Sequence, residues 1–178
     1  MILSEKTKYV FIILFLLLIA CTNKSNNISL IKDIIITENS IKIENTYLAN
    51  PFTINKFIRV LGDYSVKESL INDAYIWDNY GIKILCPNHS TKAIEINFVF
   101  KKSDRGSNPK RTFAKDIIID SLSINQKTKS TNLLKFGFNY ATSYKLILTK
   151  NHGAFRIIAF RDPESNELYR ISIVLKNK

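Results

Sequence analysis

The chain has 178 residues and a formal charge of +11, with 46% hydrophobic residues, which is enough material for one ordinary domain or two small units sharing a core. Its two cysteines, Cys21 and Cys86, are too few for a disulfide framework, so packing must supply the stability. The Lys and Arg excess directs attention to acidic partners or anionic surfaces.

At the N-terminus, Lys6 and Lys8 precede the uncharged run Tyr9 to Ala20, the build of a secretory signal. The run is too short for a membrane span, which needs about 20 residues at 1.5 Å each. Leu18-Ile19-Ala20-Cys21 resembles the lipobox of bacterial lipoproteins. The resemblance implies cleavage after residue 20, acylation of Cys21 and, because Thr22 and not Asp follows, delivery to the outer membrane facing the periplasm. Two or more acyl chains would hold the protein stably on the bilayer. Residues 21–31 then read as the lipidated cysteine and a polar tether. The removed residues 1–20 carry only Glu5, Lys6 and Lys8, so the mature chain stays strongly basic. An exported, tethered domain is no nucleic-acid binder, and the charge suits an acidic protein partner or anionic envelope surface. A general richness in Ile, Lys and Asn is the competing explanation. Cys86 is left without a partner thiol and reads as an inert, buried residue.

The remaining chain echoes itself. Asp33-Ile34-Ile35-Ile36 recurs as Asp116-Ile117-Ile118-Ile119, each followed by a polar turn and a second alternating run, Ile41 to Ile43 and Leu122 to Ile124. Both read as β-hairpins. Thr53 is placed to cap a helix over Ile54–Leu61, with Ile54, Phe57, Ile58 and Leu61 on one face and Gly62 as its stop. The second copy offers Ser130 or Thr131 as cap, Leu133 and Leu134 as apolar contacts and Gly137 as stop. Strands are expected at 74–77, 82–85 and 93–100, and again at 144–149, 155–160 and 168–175. The reading is a ββαβββ unit at 32–101, a basic linker at 102–115 and a second ββαβββ unit at 116–178.

The run from 101 to 111, at the junction of unit and linker, gathers Lys101, Lys102, Arg105, Lys110 and Arg111, a contact for an acidic patch or simply a solvated loop. Tyr75-Ile76-Trp77-Asp78-Asn79-Tyr80-Gly81 places Tyr75 and Trp77 on one strand face and Tyr80 at the turn. These aromatics suit either a partner contact or the core, with Tyr80 the better contact. His89 and His152 read as exposed turn residues without ligand-spaced neighbours, so no metal is expected. No phosphate loop, nucleophile elbow or Cys-x-x-Cys occurs, so no catalytic residue and no cofactor is assigned.

Residues 57–85, with the Leu61-Gly62 stop and the Trp77-centred strand, resemble uncharacterised bacterial lipoproteins that carry Leu-Gly followed by a Tyr/Val-Trp-Asp-Asp/Asn strand. More loosely, the repeated helix-plus-sheet pattern is similar to the two-repeat β-lactamase inhibitor proteins and the small outer-membrane assembly lipoproteins. That resemblance implies an α+β fold, an antiparallel sheet with short helices on one face, used as a recognition surface. The expected function is a non-catalytic, membrane-anchored protein-binding module, of inhibitor, immunity or assembly type. A carrier or sensor of an apolar ligand is the alternative, and an envelope hydrolase the third reading.

Overall fold

The computed structural model describes residues 33–102, 108–143 and 145–176. The first half forms β1 (Ile34–Ile36), β2 (Ser40–Ile43), β3 (Thr46–Ala49), α1 (Ile54–Leu61), β4 (Val66–Ser69), β5 (Asn72–Trp77), β6 (Ile82–Pro87) and β7 (Glu95–Val99). The second forms β8 (Ile117–Ile119), β9 (Leu122–Ile124), α2 (Ser130–Lys135), β10 (Asn139–Tyr140), β11 (Ile147–His152), β12 (Phe155–Arg161) and β13 (Leu168–Leu175). The expected α+β class, sheets with short helices, is the observed one. Each half nevertheless carries more strands than a ββαβββ unit, through β3, β4 and β10.

The strands build two sheets, each shared by both halves. A five-stranded sheet runs β3-β2-β1-β8-β9, and an eight-stranded one runs β10-β11-β12-β13-β7-β6-β5-β4. All neighbours in the large sheet are antiparallel. In the small sheet β1 and β8 are parallel, with Ile34, Ile35 and Ile36 opposite Ile117, Ile118 and Ile119. The two Asp-Ile-Ile-Ile echoes therefore lie side by side.

Alternation decides what is buried. Ile34, Ile36, Ile41, Ile43, Ile117, Ile119, Leu122 and Ile124 face inward from the small sheet and share one core cluster with Trp77, Ile84, Phe98, Ile157 and Ile173 of the large one. Helix α1 adds Ile54, Phe57 and Leu61, and α2 adds Leu133. The expected bounds of α1 are met, and Gly62 ends it at φ 76° while its N–H donates to Ile58 O at 2.9 Å. Thr53 sits at the cap position, but its side chain makes no capping bond; its backbone bridges to Lys92 instead. In α2 the cap position is Lys129, not Ser130 or Thr131, and Leu134 points outward while Leu133 is buried. Leu133 and Leu134 are neighbours on a short helix, about 100° apart, so one narrow buried stripe takes only one of them.

Gly81 and Gly153 mark two close backbone approaches. A Cβ on Gly81 would lie 2.1 Å from Phe113 N, and one on Gly153 would lie 2.1 Å from Glu38 O. The end of the linker is thus pressed onto the β5–β6 turn, and the β11–β12 turn onto the β1–β2 turn.

Candidate functional site: the outer face of the large sheet

Because side chains alternate across a strand, every inward residue of the large sheet leaves its neighbour on the outer face. Backbone pairing sets these outward residues in rows. One row runs Val66, Ile76, Lys83, Asn97, Ser172, Ile158, Thr149. Flanking it on one side lie Ala74, Leu85, Glu95 and Val174, and on the other Val99, Arg170 and Phe160.

This face is sheltered without belonging to the main core. Asn97 is 2% exposed and Ser172 is 0% exposed. Ile76, Val99 and Ala74 are buried too, although none joins the core cluster between the sheets. Lys83, Leu85, Phe160 and Arg170 on the same face are half-buried. The Arg170 guanidinium carbon stands 4.0 Å from the centre of the Phe160 ring and 5.8 Å from that of Tyr169.

The polar chemistry sits at the centre. Ser172 Oγ donates to Asn97 Oδ1 at 2.6 Å. An amide oxygen is no base, so this contact fixes two side chains and does not activate the serine. Lys83 lies directly across from Asn97, and Arg170 is one register step away on the next strand. Burial pulls the Lys83 pKa below its ordinary value, helped by the positive charge of Arg170, while Glu68 and Glu95 act in the other direction. The Arg170 Nε–H is buried and has no acceptor among the described residues. Of the two cations beside the amide–hydroxyl pair, Arg170 has the planar guanidinium whose geometry suits a carboxylate.

The residues singled out in the sequence fall elsewhere. Tyr75 and Trp77 point inward, 7% and 2% exposed, so neither ring is open to a partner. Trp77 Nε1 donates to Gly62 O at 2.8 Å, which ties strand β5 to the end of α1, and Tyr64 packs edge-on against both rings. Tyr80 is half-buried against the core. Lys101 pairs with Asp162 at 2.9 Å, and that carboxylate raises its pKa. Lys110 Nζ lies 3.4 Å from Asp78 Oδ2, while the backbone N–H groups of Lys110 and Arg111 donate to Asp78 Oδ1 and Asp78 O. Lys102 and Arg111 are exposed. Lys110 and Arg111 thus meet at Asp78, whereas Lys101 is held apart at Asp162. Arg105 and Cys21 lie outside the described residues.

His89 is exposed, as expected, but His152 is not. It is 6% exposed, its Nε2 stands 3.8 Å from Asp120 Oδ1, and the strand register turns it inward opposite Phe155. Cys86 is wholly buried, and desolvation pushes its thiol up to about 11. No group of three or more His, Cys, Asp and Glu among the described residues is placed to hold a metal. A cavity of about 60 Å³ lies beside Phe52, Ala93 and Leu175, and a wider open cleft of about 400 Å³ is lined by Lys127, Ser130, Arg161 and Glu167.

The outer-face residues leave only a faint mark in the sequence. Lys83 between Ile82 and Ile84, and Arg170 and Ser172 two apart, show by alternation that they share a face within their own strands. What joins them is the pairing of β7 with β13, across more than seventy residues of chain.

The family model of a domain of unknown function, DUF7738, matches residues 33–134. The chain belongs to that family. The match starts at β1 and ends in α2, so it takes in the whole small sheet and strands β4 to β7 of the large one. No curated protein matches the chain. No solved structure does either. Among the described residues no helix is long and apolar enough to cross a membrane.

Proposed function

We propose that this DUF7738 protein is a lipid-anchored module of the bacterial cell envelope that binds an acidic segment of another protein on the outer face of its large sheet. The anchor is Cys21, and the setting is the outer membrane facing the periplasm. Residues 6–21 support this, with their charged start, uncharged run and lipobox-like end. The observation that carries the binding role is the placement of Lys83 and Arg170 beside the sheltered Asn97–Ser172 pair on a face outside the main core cluster. The Arg170 Nε–H is buried without an acceptor among the described residues, and a partner carboxylate satisfies it on binding. The matching order of hairpin, helix and four-stranded meander in the two halves also supports descent from one duplicated unit. An experimental structure in which residues 33–99 and 117–175 fail to superpose would end that idea.

The test is an affinity capture from the detergent-solubilised envelope of the parent cell, with the lipidated chain as bait. The parental bait is expected to retain a stoichiometric protein, weakly reduced by high salt, and the K83A/R170A bait to lose it. Lys42→Ala, on the outer face of the small sheet, is the control and should capture normally. Equal capture by all three baits would exclude this face as the site. The identity of the captured protein, toxin or assembly component, then separates an immunity role from a scaffold role.

A further inference from the structure

The large apolar residues of the described chain are mostly inside, and the two most exposed of them are neighbours. Leu70 and Ile71, which connect β4 to β5, are 77% and 90% exposed. Their turn is held firmly. Asn88 Nδ2 donates to Leu70 O at 3.0 Å, Ser69 Oγ donates to Asp73 Oδ1 at 2.6 Å, and Lys67 Nζ lies 3.1 Å from Asp73 Oδ2. Two aliphatic side chains are therefore presented to solvent from a braced base at the open edge of the large sheet.

We infer that the Leu70–Ile71 hairpin tip is a second, non-covalent membrane contact, which lays these two side chains into the boundary between lipid head groups and acyl chains. The inference rests on the reading of Cys21 as the lipid anchor. Three arguments select lipid as the occupant. Leu and Ile carry no polar handle, and aliphatic residues are poor anchors in protein interfaces, where Trp, Tyr and Arg dominate. Hydrocarbon rewards them by area alone. Residues 22–32, fully extended, reach at most about 40 Å, comparable with the diameter of about 40 Å expected for a domain of this size. That length puts every face of the domain within reach of the bilayer, and the exposed apolar tip decides which one meets it. Anchoring by Cys21 also makes the second contact intramolecular, so two side chains suffice where they would be too weak alone. The positive charge of the chain draws the domain toward anionic head groups.

The test uses the lipidated chain in vesicles of phosphatidylethanolamine and phosphatidylglycerol, treated with a thiol-specific nitroxide label. An acylated Cys21 has no free thiol and Cys86 is buried, so the parental chain is expected to take no label. A labelled parental Cys21 would overturn the anchor reading and the inference with it. With the parent unlabelled, Ile71→Cys and, in the exposed β8–β9 turn, Ser121→Cys are labelled. The ratio of collisions with oxygen, which dissolves in the bilayer, to collisions with a water-soluble nickel chelate is expected to be several-fold higher at position 71 than at 121. Equal ratios would overturn the inference while leaving the anchor in place. Protection of position 71 that arises only after envelope proteins are added would overturn it in favour of a protein contact.

Discussion

Gly62 and Gly81 share a positive φ, 76° and 69°, and have opposite surroundings. Around Gly62 a Cβ would meet nothing within 4 Å, whereas at Gly81 it would strike the backbone of Thr112 and Phe113. Gly62→Ala should therefore cost only its backbone conformation, φ 76° and ψ −171°, a region open essentially to glycine, about 1–3 kcal/mol. Gly81→Ala adds a clash that only backbone movement can relieve, and about 2–4 kcal/mol is expected. Denaturant unfolding of the two variants measures the difference, and equal losses would mean that the linker is not seated on the turn. Asp73 gives a pH prediction. The Ser69 hydroxyl and then Lys67 hold its carboxyl below the usual carboxylate range, and Lys150 does the same for Asp120. A depressed folded pKa contributes stability above the unfolded value, about 3.9 for Asp, and that contribution is lost as pH falls through the folded value. Melting temperature should thus fall below about pH 4, and Asp73→Asn should differ most from the parent at neutral pH and least in acid. A gap independent of pH would show that the ionised carboxylate adds nothing.

At the scale of elements, local signals and long-range pairing part company. Helix α1 was legible because four apolar residues at helical spacing lie between a cap position and a glycine stop. The β1–β2 and β8–β9 hairpins were legible because alternation flanks a short polar turn. Strands β3 and β4 escaped because each lies at a sheet edge and buries little; of Thr46–Ala49 only Leu48 is buried. An edge strand is half solvated, so its sequence need not alternate clearly. The parallel match of β1 to β8 had no local signature, yet Ile36 and Ile119 stand opposite each other there, 1% exposed each. Ile36→Ala and Ile119→Ala should each cost about 2–5 kcal/mol. Their double variant should fall short of or exceed the sum, as contacting residues do. Strict additivity in unfolding measurements would argue against the pairing.

For the whole molecule, the decisive feature is that neither sheet belongs to one half. Strand β1 needs β8, and β7 needs β13, while the core draws residues from both halves. Residues 33–102 expressed alone should remain unfolded by circular dichroism, and the full chain should unfold in one transition. A cooperative melt from the isolated half would contradict this. The same sharing explains why the candidate site was invisible. The sequence by itself determined the charged start and uncharged run of the N-terminus, the positive charge, helix α1, most strands and which residues of each strand share a face, because those follow from composition and from spacing along a few residues. Only the tertiary structure decided that Trp77 and Tyr75 fill the core, that His152 turns inward, that Lys101 and Lys110 are tied to separate carboxylates, and that Lys83, Asn97, Ser172 and Arg170 meet. Alternation gives a strand two faces, but which face is inward and which strand lies beside it are set by the packing of distant segments around a common core.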